Sequence, residues 1–108
     1  MYKKIYEKEK LIEMALVGVI NNLQVQVYTD YNPPHFHLLK KDEYEARILI
    51  KGQKIIDYKF QKNNKEVSSD EFKKLKSWLC NKNKKEKKIS NLDAVIFSWN
   101  LLNSDKEI

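Results

Sequence analysis

The sequence predicts an α+β fold: an antiparallel four- or five-stranded β-meander sheet with two C-terminal helices packed on one face. Three observations predict it. Apolar and polar residues alternate with period two over residues 23–29 and 44–50. Two Asn residues, Asn21 and Asn22, separate the first such run from the apolar run 14–20, which is a hairpin signal. Towards the C-terminus the period changes to that of a helix, with Phe72, Leu75 and Leu79 in one segment and Leu92, Val95, Ile96, Trp99 and Leu102 in another.

A chain of 108 residues is the size of a single domain, read here as an N-terminal extension (1–13), a sheet (14–61) and a helical part (68–103). The extension mixes Lys and Glu with Tyr2, Ile5, Tyr6, Leu11 and Ile12, and reads as a short helix of weak periodicity. In the hairpin, Ile20 should pair with Leu23, Gly18 with Val25 and Leu16 with Val27, so that Leu23, Val25 and Val27 form a core face.

Both prolines and both histidines then fall in one stretch, Asp30-Tyr31-Asn32-Pro33-Pro34-His35-Phe36-His37-Leu38. Proline cannot donate a ladder hydrogen bond and forces the residue before it into an extended form, so 32–34 reads as a stiff corner. Residues 35–40 read as the third strand and 44–50 as the fourth, with Tyr44, Ala46, Ile48 and Ile50 inward. Residues 55–61 read as a fifth strand, with Ile56, Tyr58 and Phe60 inward. The helices should cover the face that carries Phe36, Leu38, Ile48, Tyr58 and Phe60. Ser68 with Glu71 is a capping box, and Ser90 with Asp93 resembles a second one. Trp78 and Trp99 read as core anchors, and Cys80 as a small buried residue.

A three-residue loop between the third and fourth strands pairs Lys40 with Tyr44. It then sets Leu39 opposite Glu45, His37 opposite Arg47 and His35 opposite Leu49. Any slip by one residue would bury Arg47 in the core. His35, His37, Glu45 and Arg47 therefore collect on the face away from the helices. Two histidines at i and i+2 lie about 6–7 Å apart at the backbone.

Four readings follow from this arrangement. The histidines could be metal ligands, with Glu45 or Asp30 as the nearest third ligand. They could act as general acid and base on a phosphodiester, with Arg47 holding the phosphate; His35, His37 and Arg47 are the catalytic candidates. In the plainest reading they hydrogen-bond the proline corner and nearby carboxylates, and so fix the loop. In the fourth, Tyr28, Asp30, Tyr31, Asn32, Pro33, Pro34, His35, His37, Glu45 and Arg47 form a protein-binding surface. No cofactor is expected.

The net charge of +6 rests almost wholly on lysine, with Arg47 the one arginine. Segments 51–65 and 82–88 each carry +4 (five Lys and one acid), while 15–50 sums to −1. An RNA partner could bind through the two lysine-rich segments, although solvated lysine explains them as well. A single cysteine excludes an intrachain disulfide. No apolar run approaches the ~20 residues that span a bilayer, and Met1 to Glu7 hold no hydrophobic signal core, so the expected location is cytoplasmic with no membrane partner.

The proline-histidine stretch resembles the signature N-D-H-N-P-P-H-F-H-V of a family of small bacterial proteins, Domain of Unknown Function 4160. Asp30, Asn32, Pro33, Pro34, His35, Phe36 and His37 match it, while Thr29, Tyr31 and Leu38 depart from it. Trp78-Leu79 and Trp99-Asn100 are similar to the family's later tryptophans, and the likeness covers roughly residues 18–103. The resemblance implies a short intracellular protein, often encoded beside another small protein and labelled a toxin–antitoxin component by that association. It carries no established chemistry. The expectation is thus a small binding protein whose partner is another small protein or RNA. The alternative is a histidine-dependent ribonuclease or metal-assisted hydrolase using His35 and His37.

Overall fold

The computed structural model describes residues 2–7, 10–30 and 33–108, with side chains from Glu13 onward. Tyr31 and Asn32, expected in the binding surface, lie outside the described residues.

The sheet is an antiparallel meander in sequence order: β1 (Tyr2–Glu7), β2 (Lys10–Ile20), β3 (Leu23–Tyr28), β4 (His35–Lys40), β5 (Tyr44–Leu49) and β6 (Ile55–Gln61). The five expected strands are all present, and the chain's beginning adds one more. Within the stretch 2–13, expected as a short helix, residues 2–7 instead form β1 and residues 10–13 the first part of β2, paired from Tyr2↔Ala15 to Glu7↔Lys10. A short isolated helix is marginal, and strand pairing satisfies the same backbone groups.

Turn chemistry matches the turns. Asn21 takes φ 54° between β2 and β3, and Asp42 takes φ 65° between β4 and β5. Gly52, at φ 88°, opens the turn into β6. The β4–β5 register is the expected one: Lys40↔Tyr44, Leu39↔Glu45, His37↔Arg47 and His35↔Leu49.

Two strands carry bulges, and both change which side chains point inward. In β2, Ile20↔Leu23 and Gly18↔Val25 hold, but the register shifts between Leu16 and Gly18. Ala15, not Leu16, therefore faces Val27, and Ala15 is the residue buried in the core. A Cβ on Gly18 would overlap the Trp78 ring, so this glycine lets α1 approach the strand closely. In β6 the register shifts twice against β5, and Ile56 and Phe60 turn outward, against expectation. Ile55 and Tyr58 pack on the core instead.

The two helices, α1 (Ser69–Cys80) and α2 (Asn91–Leu102), both begin in a full capping box, from Ser68/Glu71 and Ser90/Asp93. Leu75 and Leu79 from α1, and Val95, Trp99 and Leu102 from α2, close over Val25, Val27, Phe36, Leu38, Ala46 and Ile48. Trp99 is fully buried, and Trp78 packs at the margin of the core. Cys80 is exposed, not buried as expected, because it falls on the outward side of the last turn of α1. The lysine-rich loop after α1 is exposed, and its base is fastened by Asn91, whose amide donates to Trp78 O (2.7 Å) and accepts from Asn83 (3.1 Å). A 3-10 turn, Ser104–Lys106, follows α2. Among the described residues, no helix is long and apolar enough to cross a membrane.

Candidate functional site

Strand alternation places His35 and His37 on the sheet face opposite Phe36 and Leu38. The two imidazoles are neighbours, with ring centroids 5.2 Å apart. The sequence reading put them on an open face. The structure buries both, each at 1% exposure. Tyr28 meets the edge of His37 at 4.5 Å between centroids, and Trp99 reaches His35 at 5.6 Å. Pro33 and Asp30, before β4, also lie against His35.

Each imidazole has one nitrogen fixed. His35 Nδ1 lies 2.8 Å from Pro33 O. A carbonyl can only accept, so Nδ1 carries the proton and donates. His37 Nδ1 lies 2.7 Å from Glu45 Oε2. That hydrogen bond is the first cause holding the Glu45 carboxyl below its ordinary value, against the effect of burial. Glu45 is therefore an ionised acceptor and His37 Nδ1 the donor. Burial, aided by His37 and Arg47, keeps the His35 imidazole below its ordinary pKa, against the opposing pull of the Pro33 carbonyl and Asp30. Burial and then the Glu45 charge push the Tyr28 phenol up to about 12. Its hydroxyl donates to Gln26 Oε1 at 2.7 Å.

The remaining nitrogens point inward. His35 Nε2 stands 3.4 Å from Asp30 Oδ2. His37 Nε2 is buried and has no hydrogen-bond partner. Ligand atoms of Asp30, His35 and His37 all lie within 4.8 Å of one another.

Arg47 stands across from His37 but is engaged elsewhere. Its Nε and Nη2 donate to the two carboxylate oxygens of Asp57 at 2.6 and 2.5 Å. This bidentate pair raises the Arg47 pKa and lowers that of Asp57. Arg47 Nη1 is 3.9 Å from Asp30 Oδ2. A phosphate at Arg47 would have to displace Asp57, which weighs against the expected phosphate-holding role. A cleft of about 80 Å³ lies between Pro33, His35, Arg47, Ile56 and Asp57.

The loop that carries Asp30 is held from the far end of the chain. Asn103 accepts from Asp30 N (2.9 Å) and donates to Tyr28 O (3.1 Å), and Lys106 Nζ donates to Asp30 O (3.3 Å). On the other side of the corner, Ile50 N donates to Pro34 O at 3.1 Å.

The structure brings Tyr28, Asp30, Pro33, His35, His37, Glu45 and Arg47 near one another, with both histidines buried and not part of an open surface, and places Pro34 half-buried beside β5. Sequence reasoning missed Asp57, Asn103 and Trp99 at this site. Asp57 had a signal, an outward acid on the strand beside Arg47. Asn103 and Trp99 had none, because their nearness depends on how α2 crosses the sheet. No family model, curated protein or solved structure matches this chain.

Proposed function

We propose that this chain is a small protein-binding domain whose partner surface joins the proline corner to α2. One observation carries the reading. An apolar groove of about 710 Å³ runs between Pro33, Pro34, Leu49 and Ile50 on one side and Leu92 and Ile96 of α2 on the other. On the same helix Phe97 and Leu101 stand 67% and 60% exposed, one turn apart. A helix that is apolar on nearly every face is the kind that other protein covers.

The occupant that fits is an apolar segment of a second protein, with acidic residues at its flank. Lys51 edges the groove and Lys54 lies exposed nearby, in a chain of net charge +6. The prolines stiffen one wall, so little ordering entropy opposes docking. A toxin–antitoxin-type role, as the Domain of Unknown Function 4160 resemblance implies, would make that partner the small protein encoded alongside.

The test is calorimetric titration of the neighbouring gene's product into the wild type and into Phe97→Glu/Leu101→Glu, with melting temperature as the fold control. The expected result is saturable binding weakened at least tenfold by the double substitution. Absence of wild-type binding, or equal binding by a folded variant, overturns the proposal. Binding of RNA instead, with a steep salt dependence, would shift the working surface to segments 51–65 and 82–88.

A further inference from the structure

From the arrangement of Asp30, His35 and His37 we infer a binding site for one divalent transition-metal cation of the zinc class, with two imidazole nitrogens and one carboxylate oxygen as its protein ligands.

The first support is the direction of the electron pairs. Both Nδ1 atoms donate, to Pro33 O and to Glu45, so both Nε2 atoms present lone pairs. His35 Nε2 faces the Asp30 carboxylate at 3.4 Å, acceptor against acceptor. His37 Nε2 is buried with no donor to satisfy it, and His37 offers a ligand atom within 4.8 Å of those of His35 and Asp30. A buried acceptor without a partner, as His37 Nε2 is, costs free energy, and a cation would give it one while sharing the lone pairs of His35 and the Asp30 carboxylate.

The second support is the geometry. With bonds of about 2.0–2.2 Å, tetrahedral ligand atoms stand about 3.3–3.6 Å apart. The His35–Asp30 separation already has that value. The whole set lies within 4.8 Å, so a small turn of the carboxylate and the His37 ring would close the remainder.

The third support is the surrounding shell. Metal-bound histidines typically donate their other nitrogen to a carboxylate or a backbone carbonyl, which fixes the tautomer and the ring plane. Glu45 and Pro33 O hold those two positions here. Asp30 is set by Asn103 and Lys106 through its backbone. The nearby charges balance, with Asp30, Glu45 and Asp57 against Arg47, Lys59 and Lys106, so the site carries no excess positive charge that would repel a cation. Nitrogen and oxygen donors in this number favour zinc-class ions over calcium or magnesium, which prefer six or more oxygens.

The experiment uses the full chain, stripped of metal with a chelator and titrated with Zn²⁺ by calorimetry and with Co²⁺ by visible absorption. One ion per chain, the absorption of a four-coordinate cobalt centre and a raised melting temperature are expected. Asp30→Asn, which keeps the shape of the side chain, should weaken binding at least tenfold, as should His37→Ala, while Cys80→Ser should leave it unchanged. No stoichiometric binding by the wild type overturns the inference. So does undiminished binding by folded Asp30→Asn, or binding that vanishes with Cys80→Ser.

Discussion

His37 and Arg47 are direct cross-strand neighbours, yet each turns to a different acid: His37 to Glu45, two residues before Arg47 on β5, and Arg47 to Asp57 on β6. The histidine and the guanidinium therefore share a face without sharing a ligand. Replacing Arg47 with Lys keeps the charge and loses the two-pronged geometry. Because the pair is partly open to solvent, Arg47→Lys should cost no more than about 1 kcal/mol. A double-mutant cycle with Asp57→Asn, read by urea unfolding, checks the coupling. A coupling indistinguishable from zero would mean that the pair orders the face without stabilising the fold.

Asn103 is buried and uses both ends of its amide to hold the loop before the proline corner. Asn103→Ala leaves Asp30 N and Tyr28 O without those partners, and should destabilise by about 1–3 kcal/mol. Hydrogen exchange provides the specific readout: the Asp30 amide should lose protection by a larger factor than amides in β5. Uniform loss across the sheet would show that Asn103 acts globally instead.

Gly18 lies beneath the Trp78 ring, with no room for a methyl group. Gly18→Ala should therefore destabilise by about 1–3 kcal/mol, despite the better strand propensity of alanine. Trp78→Leu in the same chain should recover part of that loss. A Gly18→Ala protein as stable as the wild type would contradict the close approach of α1 to β2.

Glu71 joins α1 to the sheet. Burial acts to raise its carboxyl, but hydrogen bonds from Lys40, the Ser68 N–H and the Tyr44 hydroxyl outweigh that and leave the pKa lowered. A carboxyl depressed by folding contributes stability that is complete above its unfolded value of about 4.3 and is lost as pH falls through the lower folded value. The melting-temperature gap between wild type and Glu71→Gln should thus be widest near neutral pH and narrow on acidification below pH 4. A gap that stays constant with pH would assign the effect of Glu71 to shape alone.

Much of the fold is legible in residue order because period-two alternation cannot be satisfied in the wrong register. Tyr44, Ala46 and Ile48 share parity with Phe36 and Leu38 only when His37 meets Arg47, and that is the observed pairing. Caps are equally local: Ser68 and Glu71 sit within one turn. The bulges in β2 and β6 are a different matter. The shift just before Gly18 accompanies a tryptophan 60 positions beyond that glycine, and composition carries no trace of it. The strands at the chain's beginning resemble helix in sequence, since mixed Lys and Glu favour helix locally, while the pairing of β1 with β2 decides the outcome. For the candidate site, the residues on β4 and β5 were legible. The burial of the histidines was not, since Trp99 and the Asn103 clamp arrive with α2.

That clamp also ties the completion of the pocket to the end of the chain. Asp30 is positioned by side chains 73 and 76 residues further along the chain. The histidines can find their strand partners as soon as β5 has formed, but the carboxylate opposite them is set only after α2 has docked. Closing the pocket is therefore a late step, and a chain cut before Asn103 should build the sheet without completing the site.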